Sequence, residues 1–411
     1  MSERGTPPQA GFRDRLVAGM LLALAFAAIV PLAALYLPAS TTTRFVTPAW
    51  MPNQLARLIE LSTDVQVGLL ADQNQGAHPD ICLVTIKEST LDAVPYLSPI
   101  DRGLLARLVR SIDAAGPKAI GLDFIFDRHT EPEKDAGLVA TLRQTKAPVV
   151  LGIVDERVPL RESQRAWQSQ FLASAGRPFG FLNLRTDAQE SSGNPIVRYR
   201  SKPPADAAVQ RSFAEALAHA SGRPARDTSL RIAWLRAPLE SDEAFTTIEA
   251  DALFATDADP DGLAGRLIRA QIRGRIVIVA GALEGRDHLR TPLTPLSLEG
   301  IPGGVIHAHI LAQLLDGRRL DDLPTSVALA ACAIIAFLAF LIGWLVRGGR
   351  IAFLAAMGTC LLIVSAGSLI VLYQSRLIIP IAMMLFVLVA GLTLGHTAAT
   401  WGEWLLRRAR R

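Results

Sequence analysis

Half of the 411 residues are hydrophobic, so the chain has room for one sizeable folded domain and several membrane spans. Three cysteines are too few for a disulfide framework, and all three lie in apolar stretches, where they are typical of buried side chains. The formal net charge of +4 does not indicate a nucleic-acid partner, because no aromatic residue separates the final arginines.

Four segments are long and apolar enough to be transmembrane helices: residues 16–37, 327–346, 351–373 and 377–401. Each has about 20 or more residues with almost no charge, which matches a hydrocarbon layer about 30 Å thick at 1.5 Å per residue. The first segment is also compatible with a secretory signal peptide. Its apolar run is longer than such peptides carry and contains Pro31, so we interpret it as a retained anchor.

The arginines indicate the orientation of these spans. They precede the first span, fill the link between the second and third, and follow the fourth, whereas the link between the third and fourth holds only Arg376. Basic residues favour the cytoplasmic side, so we expect residues 1–15 and the basic tail 402–411 in the cytoplasm. Residues 38–324 are then outside the membrane, which for a bacterial inner membrane means the periplasm.

The outer segment begins with a linker rich in Thr and Pro, followed by a predicted helix over residues 54–70. The next predicted elements are a strand from Ile81, a helix over 102–115, a strand over 118–126, a helix over 135–145 and a strand over 148–154. This alternation at short spacing predicts an α/β domain with a largely parallel sheet covered by helices and right-handed crossovers.

The middle of the outer segment is less regular. We interpret it as a helix around Trp167, a hairpin or long loop over 180–201, a helix over 213–220 and an edge strand over 232–235, and leave 246–255 unassigned.

The end of the outer segment carries the strongest local pattern. Residues 276–280 are apolar and mostly β-branched, which predicts a strand buried on both faces. A polar loop follows, and residues 305–315 then show helical apolar spacing that stops at Gly317.

Several blocks carry a family resemblance in their order and spacing. They are PDICLVTIKEST, RGLLARLVRSIDAAGPKAIGLDFIFD, NPIVRYRS with SFAEALA, GRIVIVAGALEGRDHLRTP and PGGVIHAHILAQLLDGRRL. Together they resemble the CHASE-two domain, the second type of extracytoplasmic CHASE sensory domain. The resemblance implies one span before the domain, three after it, and usually a cytoplasmic cyclase or kinase output domain.

Two features depart from that family pattern. Lys87 stands where the first strand of the family usually ends in an Asp. The sequence reaches Arg411 shortly after the last predicted span, so we expect no output domain in this chain.

Polar residues beyond two predicted strands are candidate ligand-binding or loop-fixing residues. Asp123, which matches an Asp of the family, and Asp127 lie at and just beyond a strand end, where parallel sheets bind ligands. Asp287, His288 and Thr291 match the family's loop after the last core strand, and His288 can also respond to pH. For all of them, sensing a ligand and bracing the loop remain open alternatives.

The other histidines and the catalytic motifs give weaker signals. His307, a further candidate, and His309 are two residues apart and so lie on different sides of a helix, which favours structural or hydrogen-bonding roles over a metal pair. The sequence has no HExxH pattern, nucleophile elbow or GxxxxGK[ST] loop. We therefore predict no metal, no cofactor and no enzymatic activity.

Gly391, Gly395 and Ala399 form a small-residue ladder in the last span. Such ladders allow close helix contacts in lipid, either within a helix hairpin or at the seam of a homo-oligomer.

The sequence thus predicts an inner-membrane sensor whose outer domain detects an unknown periplasmic ligand or condition. The signal would pass through the spans in the lipid bilayer to a separate output protein. The alternative is a structural or assembly subunit whose outer domain binds a protein partner.

Overall fold

The computed structural model describes residues 12–35, 53–73, 76–92, 94, 96–186, 196–223, 225–238, 243–283, 288–293, 300–346 and 349–409. The chain forms two compact units, one made of Met1–Gln66 with Asp321–Arg411 and the other of Val67–Leu320.

The helices are α1 (Phe12–Leu35), α2 (Asn53–Leu70), α3 (Glu88–Leu91), α4 (Arg102–Ala114), α5 (Pro132–Gln144), α6 (Glu162–Ala175), α7 (Phe213–Ala220), α8 (Ala250–Ala255), α9 (Leu263–Ile272), α10 (Gly303–Asp316), α11 (Thr325–Leu345), α12 (Gly349–Ser375) and α13 (Ile381–Ala409). The strands are β1 (Asp72–Gln73), β2 (Ile81–Ile86), β3 (Ala119–Asp123), β4 (Val149–Ile153), β5 (Phe179–Phe181), β6 (Arg185–Thr186), β7 (Val197–Tyr199), β8 (Leu235–Arg236), β9 (Thr246–Glu249), β10 (Ile276–Gly281), β11 (His288–Leu289), β12 (Ile301–Pro302), β13 (Asp321–Asp322) and β14 (Leu377–Ile378).

The core of unit 67–320 is a six-stranded sheet in the order β5-β4-β3-β10-β2-β9, and every neighbouring pair is parallel. Its central strands are apolar on both faces because helices cover both sides of the sheet. The predicted α/β class with a largely parallel sheet is confirmed.

The two faces of the sheet carry different helices. Alternate residues of the strands, such as Val84, Leu122 and Val279, share one apolar core with α4, α5, α6, α8 and α9. The residues between them face α7 and α10: Gly121, for example, lies against Leu217 of α7. This alternation follows from the two-residue period of a strand, so each strand end offers side chains to two separate layers.

Strand β3 is shorter than the predicted strand 118–126, because it ends at Asp123. The chain then leaves the sheet, and Phe126 stacks on Phe171 of α6 with ring centroids 4.6 Å apart. Packing against α6 therefore ends the strand earlier than the apolar pattern indicates.

The predicted edge strand over 232–235 is found only at its last residue, Leu235. Only β8 is a strand there, and it pairs with β1 outside the main sheet. The backbone N–H groups of Ala233 and Leu235 donate to the side chains of Gln313 and His309 on α10, so they are not free to extend β8 into a longer strand. The edge of the main sheet is β9, in the stretch that the sequence left unassigned.

In the other unit, three helices are long and apolar enough to cross a membrane: Thr325–Leu345, Gly349–Ser375 and Ile381–Gly402. The first predicted span coincides with α1, whose apolar part, Leu16–Ile29, is shorter. α1 packs on α11, where Phe26 meets Phe340 with centroids 5.8 Å apart.

Helices α11 and α13 make the closest contact of the membrane helices that the structure describes. A Cβ on Gly395 would lie 2.1 Å from the Phe340 carbonyl oxygen, and one on Gly391 would lie 2.8 Å from the Ala339 Cβ. The structure thus places two residues of the predicted ladder against α11 of the same chain, where only glycine permits such an approach.

Candidate functional site

Three residues form a row at the carboxyl end of the main sheet. Thr85 on β2 and Asp123 on β3 both lie in register with Ala280 on the strand between them. Because the strands are parallel, all three side chains point to the face covered by α7 and α10. The carboxyl edge of a parallel sheet is where α/β domains bind ligands, so this row is the candidate site.

Helix α10 begins directly on this row. A Cβ on Gly304 would lie 2.3 Å from the Ala280 Cβ and 3.2 Å from the Asp123 Oδ2. Glycine is therefore required for the helix to approach the strand end. The Asp123 carboxylate lies beside the first turn of α10, where unpaired backbone N–H groups and the positive end of the helix dipole favour a negative charge.

His307 lies one turn further along α10. Its Nε2 is 3.9 Å from the Asp123 Oδ1, and its ring meets Phe213 of α7 edge-on with centroids 5.4 Å apart. The structure thus brings together two of the predicted candidates, Asp123 and His307. His309 points elsewhere, into an aromatic cage of Trp234 and Phe245.

The buried hydroxyls of Thr85, in the row, and of Thr291, in the loop after β11, have no hydrogen-bond partner among the residues that the structure describes. Thr85 is 7 % exposed and Thr291 is 0 % exposed, and the Oγ1 of each is unpaired. A buried polar group without a partner costs about 1–3 kcal/mol, so folding alone gives no reason to keep these hydroxyls. Thr85 was missed in the sequence, where it was simply one of the polar residues ending a strand.

The loop that follows β10 returns to the start of α10. His288 of β11 pairs with Pro302 of β12, the residue that immediately precedes α10. The Thr291 side chain is buried two residues beyond β11, whereas His288 is exposed. Asp287 lies outside the described residues.

Asp127 belongs to the opposite face of the sheet. Its Oδ1 accepts a hydrogen bond from the Arg128 Nε at 3.1 Å, and its Oδ2 accepts one from the Gln164 side chain of α6. The neighbouring Arg102 is buried, with its guanidinium 4.7 Å above the Phe126 ring and its Nε 3.5 Å from the Asp135 Oδ1. These contacts brace the loop after β3, and they separate Asp127 from the row that contains Asp123.

A family model for the CHASE2 domain matches residues 42–349, about three quarters of the chain. The chain belongs to the CHASE2 family. The resemblance seen in the sequence is thereby confirmed, and the match extends past the end of α11. No curated protein and no solved structure gives a significant match to this chain.

CHASE2 domains are extracytoplasmic sensory domains, so this is a membrane protein with an outer sensory domain. Across the described part of the chain, no group of three or more His, Cys, Asp or Glu side chains is arranged to hold a metal ion. What the CHASE2 site does offer is a carboxylate, a buried imidazole and the Thr85 hydroxyl beside a helix N-terminus. This set can bind a small polar molecule by hydrogen bonds.

The two buried histidines of α10 are neutral in the folded CHASE2 domain. Burial lowers the pKa of His307 to about 4, and a hydrogen bond with the Leu182 backbone opposes this shift. Burial also lowers the pKa of His309 to about 3, and the electrostatic influence of Arg318 and His78 acts in the same direction. Neither imidazole therefore carries a proton near neutral pH.

We expect the free energy of unfolding to fall as the pH is lowered from about 6.5, where a histidine in an unfolded chain takes up its proton. The folded state binds this proton only near the lowered pKa, so between the two values the unfolded state holds more protons and stability decreases with decreasing pH. Each histidine contributes up to about 1.4 kcal/mol per pH unit.

Urea unfolding of the full chain in nanodiscs at pH 7.5 and 5.5, followed by tryptophan fluorescence, measures this loss. His307→Gln and His309→Gln should each reduce it. His219→Gln, at an exposed position at the end of α7, is the matched control and should leave it unchanged. An equal loss in wild type and in both α10 variants would contradict the assignment.

Proposed function

We propose that this CHASE2 protein is a bacterial inner-membrane sensor. In this proposal, a small polar ligand or a periplasmic condition acts at the row of Thr85 and Asp123 and shifts α10. The shift then passes to the membrane helices, and a separate protein in or at the membrane responds. The observation that carries the proposal is the position of α10, which begins on the row and ends five residues before Asp321, where the chain enters the membrane unit.

Helix α10 is suited to transmit such a shift because hydrogen bonds of its own side chains fix it to the domain. The Gln313 side chain donates to the Ser229 and Arg231 carbonyls at 3.1 and 3.0 Å and accepts from the Ala233 N–H at 3.2 Å. Nearly every residue of the helix is buried. A displacement at its first turn therefore moves it as a rigid body, because the interior is too densely packed to absorb the shift locally.

The exposure of α12 supports an output through a partner protein. In its most apolar stretch only 6 % of the residues are buried, whereas the share is 33 % in the corresponding stretches of α11 and α13. A face that contacts few residues of its own chain is available to a second membrane protein. A ligand can shift such a system only by binding one arrangement more tightly than the other.

The outer domain also has a feature that favours the alternative of an assembly subunit. Leu263 and Leu267 lie one turn apart on α9 and are both exposed. Two large apolar side chains on one helix face can form part of a protein contact. The threonine substitutions described next separate the two functions, because an assembly subunit has no use for the buried hydroxyls.

Replacing Thr85 or Thr291 by valine removes an unpaired buried hydroxyl at nearly constant volume. We expect the melting temperature of each variant to stay the same or rise, because no hydrogen bond between described residues is lost. Thr141→Val is the matched control. Its buried hydroxyl donates to the Gly137 carbonyl and accepts from Arg110, so this variant should lose about 1 kcal/mol of stability.

The same variants test ligand binding. A thermal-shift screen of the full chain against amino acids, small carboxylates and quaternary amines should identify a stabilising compound. Thr85→Val and Asp123→Ala should weaken its binding by about 5- to 150-fold, which corresponds to about 1–3 kcal/mol. No stabilising compound, together with a partner that binds wild type and Thr85→Val equally, would favour the assembly subunit. Catalytic turnover of any compound that vanished in Asp123→Ala would contradict a purely sensory role.

The orientation proposed from the arginine distribution places both termini in the cytoplasm and unit 67–320 in the periplasm. A cysteine at the exposed Glu162 of α6 should react with a membrane-impermeant maleimide in spheroplasts, whereas one at Arg408 should react only after permeabilisation. The parent protein carries Cys360→Ala, since Cys82 and Cys332 are buried. Labelling of Arg408→Cys in intact spheroplasts would overturn this orientation.

A further inference from the structure

The chain passes between its two compact units at two places, Gln66–Val67 and Leu320–Asp321. In the membrane unit, the residues next to each of these two places form hydrogen bonds with the same short segment, the turn between α12 and α13. This turn contains β14 and Ile379.

The first bond is made by the side chain of Gln66 in α2. Its Nε2 donates to the Ile379 carbonyl at 2.8 Å, and its Oε1 accepts from the Ile379 N–H at 3.0 Å. Gln66 is 3 % exposed, so its amide is held away from water. Both hydrogen bonds are stronger in this buried environment than they would be in water. A carboxamide carries both a donor and an acceptor, so one side chain satisfies both backbone groups of Ile379.

The second bond is a short parallel ladder. Asp321 pairs with Leu377 and Asp322 with Ile378, and the Leu323 N–H donates to the Ile378 carbonyl at 3.0 Å. Leu323 immediately precedes Pro324, the N-cap residue of α11. The chain segment between α10 and α11 is thus fixed to the α12–α13 turn before the membrane helix begins.

The turn is itself well fixed to its two helices. The Arg376 N–H donates to the Leu372 carbonyl of α12, and the Met384 N–H donates to the Pro380 carbonyl at the start of α13, both at 3.0 Å. Ile378 and Ile379 are buried. A force applied to Ile379 or to β14 therefore reaches both helices instead of being lost in a loose connection.

We propose that the α12–α13 turn is a coupling clamp, in which Gln66 and the β13–β14 ladder tie both chain passages to the same pair of membrane helices. A shift of the outer domain is then delivered to α12 and α13 directly, in addition to α11. The function of the clamp in signalling rests on the proposed sensor role. The clamp itself is a mechanical property that is tested without any ligand.

Native-state hydrogen exchange of the full chain in nanodiscs tests the clamp at two backbone amides, Leu323 and Ile379. If the clamp couples the turn to the outer domain, exchange at both amides should rise with urea in parallel with exchange in β10. The reason is that the turn then opens together with the domain. Exchange at Leu323 and Ile379 that is fast and independent of urea would overturn the proposal, and this measurement needs only the wild-type protein.

Gln66→Leu removes both bonds to Ile379. Exchange at Ile379 without urea should become about tenfold faster or more, which equals about 1.4 kcal/mol, and should lose its dependence on urea. Val65→Leu, on the exposed neighbour in α2, is the matched control and should change neither property. Unchanged exchange at Ile379 in Gln66→Leu would reject the role of this side chain. The sensor proposal can fail in the ligand screen while the clamp passes these tests, so the two outcomes are distinguishable.

Discussion

The packing of α10 on the end of β10 is the contact on which the rest of the outer domain depends. Gly304 lets the helix lie against Ala280, between the row residues Thr85 and Asp123. A Cβ at position 304 would overlap the strand, so helix and strand end are in direct contact. The position of α10 therefore determines the shape of the candidate site. A change in the row that alters the contact between Ala280 and Gly304 therefore acts directly on the helix.

Buried amide side chains fix how that helix and the membrane segment are placed. Gln313 satisfies backbone groups around Ser229 and Arg231, and Gln66 satisfies both groups of Ile379. Apolar contacts have no direction, so they stabilise an arrangement without specifying its register, whereas a paired amide does specify it. The unpaired hydroxyls of Thr85 and Thr291 are among the exceptions to this rule of satisfied polar groups, as are the Thr228 hydroxyl and the Trp234 indole N–H. Exceptions of this kind are more typical of binding sites than of structural cores.

Sequence patterns predicted those elements whose positions are determined by neighbouring residues in the chain. The apolar run at Ile276 and the helix ended by Gly317 gave β10 and α10 to within about two residues at each end, because burial on both faces and a left-handed glycine act at that range. The structure differs where a distant contact decides. Phe126 leaves the sheet to stack on α6, and the N–H groups of Ala233 and Leu235 bond to side chains of α10 instead of extending an edge strand.

The candidate site was only half visible in the sequence for the same reason. Asp123 could be placed at a strand end, but its separation from Asp127 depends on which face of the sheet each side chain takes after the strand stops. Thr85 became a candidate only when the strand register set it beside Ala280. The helix α9, which follows an Asp-rich turn and exposes Leu263, was not foreseen either.

For this protein to act as the proposed sensor, the state of the outer domain must set the arrangement of the membrane helices. Double electron–electron resonance between nitroxide labels on Leu354→Cys in α12 and Trp404→Cys in α13 measures that arrangement in nanodiscs, with the native cysteines replaced by alanine. We expect Asp123→Ala to change the distance distribution and Asp257→Ala, at a surface position after α8, to leave it unchanged. An identical distribution in all three proteins, with the outer domain of Asp123→Ala measurably altered in its melting temperature, would contradict the proposed sensor role.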